Sequence, residues 1–201
     1  NLPSGLQLGV GTKVVAVQKM FQQGSLVNTD NQLDIAIQGK GFFQILQPDG
    51  TIGYTRDGSF KLNQNGDVVT SGGLLLQPQI TVPPEAKTVT VGSDGTVSAK
   101  IDGQVEEQIL GQIELANFIN PAGLENRGDN LAFETIASGP VQIGAPTTPG
   151  FGSTIQNFLE ASNVNTVGEL ISMIEAQRTY EMNSKAIKAA DDMMSYLNNN
   201  I

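Results

Sequence analysis

The sequence predicts a mainly β protein, an antiparallel meander of hairpins, followed by one long C-terminal α-helix. Glycine supplies 23 of the 201 residues, which favours frequent turns. Asp-Gly and Asn-Gly pairs recur at eight-residue intervals, at 49–50, 57–58 and 65–66, and such pairs are the strongest local signal for hairpins. Residues 165–201 instead place apolar side chains at helical spacing. The chain therefore combines a β-rich part with a helical element suited to assembly.

The strands are predicted where apolar or β-branched residues lie between turns. Residues 10–17 are expected to be extended, whereas 18–31 carry no decisive pattern. The apolar residues of 35–45 predict a strand that bends or bulges at Gly39 and Gly41. Further strands are predicted at 73–77, 87–91, 96–101, 108–118 and 131–135, with turns at 94–95, 102–103 and 120–123.

These patterns divide the chain into four parts. Residues 1–32 form an extended N-terminal connecting segment, and 33–137 form a β-rich central domain. Residues 138–164, which begin with a stretch rich in Gly, Pro and Thr, form a return connection. Residues 165–201 form the amphipathic assembly helix.

The C-terminal helix is predicted to carry two opposed apolar faces. One face comes early in the helix, and the other is a seam whose apolar residues alternate spacings of three and four. At 1.5 Å per residue the helix extends about 50 Å, beyond the roughly 40 Å diameter of a compact domain of the preceding length. We therefore expect both faces to bury against other subunits, and the expected interface residues are Val167, Leu170, Ile171, Met173, Ile174, Tyr180, Asn183, Ile187, Met194 and Leu197.

Two features of this helix leave alternatives open. Asn183 lies in the seam, where a single polar residue fixes the register of a coiled coil, or at its exposed margin. The N-terminus is assigned to Thr166 with Glu169 as a capping box, or to Asn163 or Asn165 as the cap. A helix folded back onto its own β domain is the competing hypothesis for the apolar faces.

Composition excludes several classes of function. The formal net charge of -9 argues against nucleic acid or an anionic membrane surface as a partner. No apolar run is long enough to span a bilayer, so no direct membrane insertion is expected. The chain has no histidine and no cysteine, which removes disulfides, thiolate nucleophiles and most metal ligands. Asn1 is not an initiator methionine, so we expect a processed or truncated chain.

The remaining candidates for chemistry are weak. The adjacent carboxylates at 106–107 and 191–192 diverge on a strand or a helix instead of converging on a substrate. Residues 61–72 resemble a calcium loop but place Lys61 and Gly72 where carboxylates are required, and 9–13 lack the full phosphate-loop spacing. Arg56-Asp57 is a local ion pair, a binding patch or an ordinary strand end. We predict no catalytic residue, no metal and no cofactor, and therefore not an enzyme.

Several motifs resemble those of the bacterial flagellar rod and hook proteins. They are LDIAIQGKGFF at 33–43, YTRDGSF at 54–60, EASNVN at 160–165 and MIEAQRTYE at 173–181. The opening LPSGLQLG at 2–9 is similar to the distal-rod members of that family. The chain departs from the family in lacking its N-terminal helix, which pairs there with the C-terminal helix in the inner tube.

The resemblance implies a structural subunit of the distal rod in the flagellar basal body. Such a subunit is exported through the flagellar type III apparatus and stacks helically with its own copies into the periplasmic drive shaft, which transmits torque and lines the export channel. Its implied partners are adjacent proximal rod and hook subunits, the surrounding ring proteins and peptidoglycan. The alternatives are another axial component of the proximal rod or hook, a β-rich glycan-binding module, and a cell-wall hydrolase.

Overall fold

The computed structural model describes residues 13–15, 17–101 and 106–199, with side chains through residue 196. Within 10–17, the described residues are not part of any strand. Several sequence predictions lie outside the described residues: the opening motif at 2–9, residues 9–12 of the rejected phosphate-loop candidate at 9–13, the turn at 102–103, and the side chain of Leu197.

The described chain is mainly antiparallel β structure with one C-terminal helix, which confirms the predicted fold class. The helix, α1, spans Thr166–Asn199. In chain order, strands β1 to β16 span Leu26–Asn28, Ile35–Gln38, Phe42–Leu46, Ile52–Thr55, Phe60–Leu62, Val68–Thr70, Leu75–Gln77, Ala86–Val91, Thr96–Ile101, Gln108–Gln112, Leu115–Asn117, Glu125–Gly128, Leu131–Phe133, Gln142–Gly144, Ser153–Gln156 and Phe158–Glu160.

The strands of the described residues form four sheets. The largest has nine strands and contains the path β12-β13-β4-β3-β7-β6-β5, with β11 pairing both β3 and β14. A three-stranded sheet has the order β10-β9-β8, and two ribbons pair β15 with β2 and β1 with β16. The chain divides into two compact units, Asn1–Glu160, which holds all of these strands, and Ala161–Ile201, which holds α1.

Of the three turns that are spaced eight residues apart, two connect the strands of a hairpin and the third does not. Residues 49–50 connect the paired strands β3 and β4, and 65–66 connect the paired strands β5 and β6. At 57–58 the chain instead crosses Ile35, whose N–H donates to the Gly58 carbonyl at 3.0 Å. The hairpin predicted at 57–58 is therefore wrong, because tertiary contact with Ile35 redirects the chain, and the strand that pairs with β5 among the described residues is β6 and not β4.

Two predicted strands are each split. The bend expected at Gly39 and Gly41 separates β2 from β3, and these glycines have φ values of 109° and 140° that side chains rarely adopt. As a result β2 pairs with β15 while β3 joins the large sheet. The strand predicted at 108–118 is divided into β10, on the small sheet, and β11, on the large one.

The segment 138–164, expected to be a return connection, contains three strands. β14 pairs with β11, β15 with β2, and β16 with β1. Its Gly/Pro/Thr-rich part spans 138–152, and only the short β14 lies inside that part. The division of the chain into four parts at residues 32, 137 and 164 stays a prediction.

The β unit has a main hydrophobic core and a smaller aromatic cluster. Phe43, Ile37 and Leu115 of the main core are completely buried, and Phe43 meets Phe60 edge to face at 5.1 Å. The aromatic cluster holds Phe42, Tyr54 and Phe118, together with Phe21 from the N-terminal segment. Burial raises the pKa of the Tyr54 hydroxyl, and the nearby Glu134 carboxylate adds to the rise.

No helix in the described part of the chain combines the length and the apolar character needed to cross a membrane.

Substitution of Gly58 tests the crossing at 57–58. A Cβ atom at this position would lie 1.7 Å from the Ile35 carbonyl oxygen, so Gly58→Ala is expected to lower the free energy of unfolding by about 3 kcal/mol or more. Gly72→Ala is the matched control, because the nearest atom there is the Thr70 Oγ1 at 3.8 Å. Urea titration followed by tyrosine fluorescence measures both variants, and equal stabilities would refute the crossing.

A buried carboxylate ties the β5–β6 hairpin to the segment after β7. Asp67 is 6% exposed and accepts hydrogen bonds from the Thr81 hydroxyl at 2.7 Å, the Asn63 amide at 3.0 Å and the Gln79 amide at 3.1 Å. These bonds, the one from Thr81 first, hold the pKa of the Asp67 carboxyl below its ordinary value. The ionised form therefore stabilises the folded state.

Asp67→Asn is expected to lower the stability of the protein at neutral pH. In acid, the difference in stability between the variant and wild type should become smaller. Because the folded pKa lies below the unfolded value of about 4, the ionised carboxylate stabilises the fold above that pH and loses its effect as pH falls through the folded pKa. Thermal melts at neutral and acidic pH measure the two gaps, with the exposed Asp129→Asn as control. A gap that does not change with pH would contradict this role.

Candidate assembly helix and the junction before it

An asparagine starts α1. The Asn165 side-chain carbonyl accepts from the N–H groups of Val167 at 3.1 Å and Gly168 at 3.2 Å, and the Glu169 N–H donates to the Asn165 backbone carbonyl. These bonds satisfy amides that a helix N-terminus otherwise leaves unpaired. Asn165 is thus the cap, the Thr166–Glu169 capping box is wrong, and Thr166 is the first helical residue.

The helix exposes the apolar side chains that were predicted to form an interface. Its 34 residues correspond to a length of about 51 Å. The exposed fractions range from 49% to 77% among the early face and seam residues Val167, Leu170, Ile171, Met173, Ile174, Tyr180, Ile187 and Met194. Asn183 is also exposed, and the side chain of Leu197 is outside the described residues. The interface assignment itself stays a prediction.

Three further large apolar or aromatic side chains on α1 are exposed and were not among the predicted interface residues. Met182, Met193 and Tyr196 are 63%, 67% and 71% exposed. At 100° per residue, Tyr196 lies along the line of the early face, and the two methionines lie between that face and the seam. A count of spacings from the seam alone misses them, whereas a helical projection of the whole segment would have found them.

The β1–β16 ribbon forms the junction through which the chain leaves the β unit. Leu26 pairs with Glu160 and Asn28 with Phe158, in antiparallel register. The chain before Leu26 and the chain after Glu160 therefore leave the same end of this ribbon. Glu160 is also the last residue of the β unit.

Arg56 holds this junction to the rest of the β unit. Its Nε donates to the Glu160 carboxylate at 2.7 Å, while its terminal nitrogens donate to the carbonyls of Ile37, Gly39 and Gly41 at 2.9 to 3.1 Å. The other Glu160 oxygen accepts from the Gly24 N–H at 2.9 Å. We call this group the Arg56 clamp; the planar guanidinium is suited to it, since it presents several donors in fixed directions.

The Arg56 clamp corrects the sequence interpretation of Arg56-Asp57. Asp57 does not pair with Arg56; its carboxylate accepts from the N–H and hydroxyl of Ser59 at 3.0 and 2.7 Å. The ion pair is instead formed with a residue 104 positions later in the chain. Arg56-Asp57 does follow the end of β4 at Thr55, as the strand-end alternative expected, and the Arg56–Glu160 contact made there is part-buried, with the two side chains 22% and 10% exposed.

The described residues offer no group of three or more His, Cys, Asp or Glu that could hold a metal ion. Glu106 and Glu107 are exposed, as are Asp191 and Asp192. The exposed apolar side chains of α1 are of the kind that mark association sites.

Arg56→Ala is expected to lower the free energy of unfolding by about 2–4 kcal/mol, because it leaves a poorly solvated carboxylate and three carbonyls without their donor. Arg56→Lys keeps the positive charge but lacks the planar guanidinium donors. Its free energy of unfolding should therefore lie between those of wild type and Arg56→Ala. Arg127→Ala is the matched control, since the Arg127–Glu125 pair is 58% and 53% exposed and should contribute less than about 1 kcal/mol.

Guanidinium titration measures these stabilities, and amide hydrogen exchange at β1 locates the effect. We expect the β1 amides to exchange faster in Arg56→Ala than in Arg127→Ala. Equal losses in the two alanine variants would show that the Arg56 clamp does not hold the junction.

Comparison with known proteins agrees with the motifs. A family model of the flagellar hook protein FlgE/F/G D1 domain matches residues 36–99. A model of the flagellar basal body rod FlgEFG protein C-terminal region matches residues 155–200. The first match runs from β2 into β9, and the second contains the end of β15, all of β16 and nearly all of the chain that follows, including α1.

Individual relatives separate the members of this family. The chain is 49% identical over 98% of its length to the flagellar basal-body rod protein FlgG of Buchnera aphidicola subsp. Schizaphis graminum, covering 76% of that protein. It is 50% identical over 96% of its length to FlgG of Caulobacter vibrioides, covering 74% of that protein. FlgF of Caulobacter vibrioides is 38% identical over 84% of the chain, covering 65% of that protein.

Within Caulobacter vibrioides, the chain is thus more similar to FlgG than to FlgF, both in sequence identity and in coverage. The chain belongs to the FlgG family of flagellar basal-body rod proteins, the distal-rod subunits of the bacterial flagellar basal body.

Proposed function

We propose that this rod protein is a purely mechanical subunit that assembles with its own copies through α1 into a helical shaft. The observation that carries the proposal is the pair of exposed apolar faces on a 34-residue helix. Exposed apolar patches of this extent mark association sites. The shaft transmits torque and encloses the channel through which later subunits are exported.

The energetic argument rests on repetition. Burial of Ile187, Met173 or Met194 against neighbouring helices contributes roughly 1.5–3 kcal/mol per side chain. A subunit in a helical lattice makes each contact twice, once as donor of a surface and once as its acceptor, so modest contacts add along the polymer. Both α1 faces take part: the early face of Val167, Leu170, Ile171 and Ile174, and the seam that includes Tyr180, Asn183 and Leu197.

The junction suits a role in transmitting force. The β1–β16 ribbon and the Arg56 clamp hold the point at which the chain leaves the β unit through several hydrogen bonds. The resemblance to the rod and hook family implies that an N-terminal helix pairs with the C-terminal helix, which is α1 in this chain. The antiparallel register of the ribbon pairs Leu26 with Glu160, and this arrangement is compatible with such a pairing.

The partners follow from the position of a distal rod in the cell envelope. We propose contacts with proximal rod subunits at one end and hook subunits at the other, with ring proteins and peptidoglycan around the shaft. Export through the flagellar type III system precedes assembly in the periplasm. No catalytic activity is assigned, because the exposed carboxylates at 106–107 and 191–192 are adjacent in sequence and do not converge on a shared site.

Ile187→Asn tests the assembly helix. It replaces an exposed apolar seam residue, 63% exposed in the single chain, with a polar residue of similar size. We expect self-association, measured by sedimentation velocity over a wide concentration range, to weaken by at least about tenfold, as the loss of one buried apolar side chain implies. Lys185→Asn on the opposite polar face is the control and should associate like wild type. Equal association of the two variants would contradict the proposal.

A further inference from the structure

Several turns of the β unit contain dipeptides that are able to rearrange spontaneously. In an Asn-Gly pair, the glycine nitrogen can attack the side-chain carbonyl carbon of the asparagine, because glycine has no side chain to shield its nitrogen. In an Asp-Gly pair, the same attack needs a protonated carboxyl group, since an ionised carboxylate is a poor electrophile. The described residues contain Asn-Gly at 65–66 and Asp-Gly at 49–50, 57–58 and 94–95.

The residue two positions later protects the carboxylate of each of these Asp-Gly pairs. Asp49 accepts from the Thr51 hydroxyl at 2.6 Å and its N–H at 2.9 Å. Asp94 accepts from the Thr96 hydroxyl at 2.8 Å and its N–H at 3.1 Å, and the bonds of Asp57 described above follow the same pattern. The Thr51 hydroxyl, followed by its N–H, lowers the pKa of Asp49, and the Thr96 N–H, followed by its hydroxyl, lowers the pKa of Asp94. These carboxylates are therefore ionised and poorly reactive.

Asn65 lacks this protection. Its side chain is exposed, and its amide group makes no hydrogen bond to another described residue. Only its backbone is held, because the Asn65 N–H donates to the Asn63 side-chain oxygen at 2.8 Å. A carboxamide is also neutral at every physiological pH, so it needs no protonation before attack.

The fold restrains the attacking nitrogen instead. The Gly66 N–H donates to the Asn63 carbonyl at 3.1 Å, and the Gly66 carbonyl accepts from the Val82 N–H at 2.8 Å. A Cβ atom on Gly66 would lie 2.3 Å from the Val82 carbonyl oxygen, so Gly66 packs closely against this segment. The Gly66 nitrogen therefore becomes free to react when the β5–β6 hairpin opens locally, and the frequency of opening limits the rate.

We propose that Asn65 is a site of spontaneous deamidation, with a rate set by local opening of the β5–β6 hairpin. The Gly66 nitrogen bonds to the Asn65 Cγ and loses its proton, while the side-chain nitrogen takes up that proton and leaves as ammonia. A five-membered succinimide ring remains. Water then adds to one of the two ring carbonyls and breaks its bond to nitrogen, which gives aspartate or isoaspartate. The site does not depend on α1 or on the proposed assembly.

Both products change the hairpin. Each places a new carboxylate two positions from the buried Asp67 carboxylate. Isoaspartate also routes the backbone through the former side chain, which adds one methylene group to the turn just before Gly66. Because Gly66 is packed against Val82, the longer backbone disturbs that contact. We therefore expect isoaspartate to lower the stability of the hairpin more than Asn65→Asp does.

Incubation of the full chain in mildly alkaline buffer, followed by peptide mapping with mass spectrometry, tests the site. Deamidation raises the mass of the peptide that contains residue 65 by about 1 Da, since a hydroxyl replaces the amide nitrogen group. In water enriched in heavy oxygen, hydrolysis of the succinimide also labels any Asp-Gly pair that has reacted. We expect label at residue 65 to appear at least about tenfold faster than at residues 49, 57 and 94. Equal rates, or no reaction at 65, would overturn the proposal.

Asn65→Ser identifies the reacting side chain. The variant keeps Asn63 and the rest of the turn but has no amide at position 65, so the label in this peptide should disappear. Label that persists in Asn65→Ser would place the reaction at Asn63 and refute the assignment.

Thr81→Val tests the dependence on hairpin opening. It removes the hydroxyl that donates to the Asp67 carboxylate at 2.7 Å, so the hairpin should open more often and deamidation at residue 65 should accelerate by about tenfold. Thr51→Val is the matched control, because it removes a similar hydroxyl bond, at 2.6 Å to Asp49, from a different turn. Equal deamidation rates at residue 65 in the two variants would show that hairpin opening does not control the reaction.

Discussion

The Arg56 clamp is the interaction on which the organisation of the β unit depends. One guanidinium joins the β2–β3 bend, through three carbonyls, to the last residue of the β unit, through the Glu160 carboxylate. The bend needs such a partner because Gly39 and Gly41 turn their carbonyls out of the sheet ladders at positive φ. Without the clamp, the part-buried carbonyls of Ile37 and Gly41 and the part-buried Glu160 carboxylate would each lose their guanidinium donor.

Local sequence signals account for much of the fold. The turns at 49–50 and 65–66 are hairpins because their Asp-Gly and Asn-Gly pairs adopt the backbone that short connections need, with Gly50 and Gly66 at φ values of 84° and 85°. The same signal misleads at 57–58, where the Ile35 carbonyl occupies the space a side chain would need and the chain crosses over. Local chemistry thus sets the turn, whereas a contact distant in sequence decides which strands pair.

The candidate site divides in the same way. The two faces of α1 were predictable, because helical periodicity appears in the sequence whether or not the partner is present. The Arg56 clamp was not, since its partners lie 15 to 19 and 104 positions away and no local pattern marks them. The pairing of β1 with β16 was equally hidden, because a three-residue strand carries too few residues to show alternation.

The edge of β8 shows that the β unit avoids one simple route to association. The Gln32 side chain accepts from the Val89 N–H at 3.2 Å, and Gln156 both accepts from the Val91 N–H at 3.2 Å and donates to the Val89 carbonyl at 2.7 Å. These amides occupy backbone groups that an added strand would use, so the edge is blocked against uncontrolled pairing. Subunits that must stack in one fixed geometry gain from this arrangement, because association is then left to surfaces of specific shape: the faces of α1 and the side chains that the β unit displays.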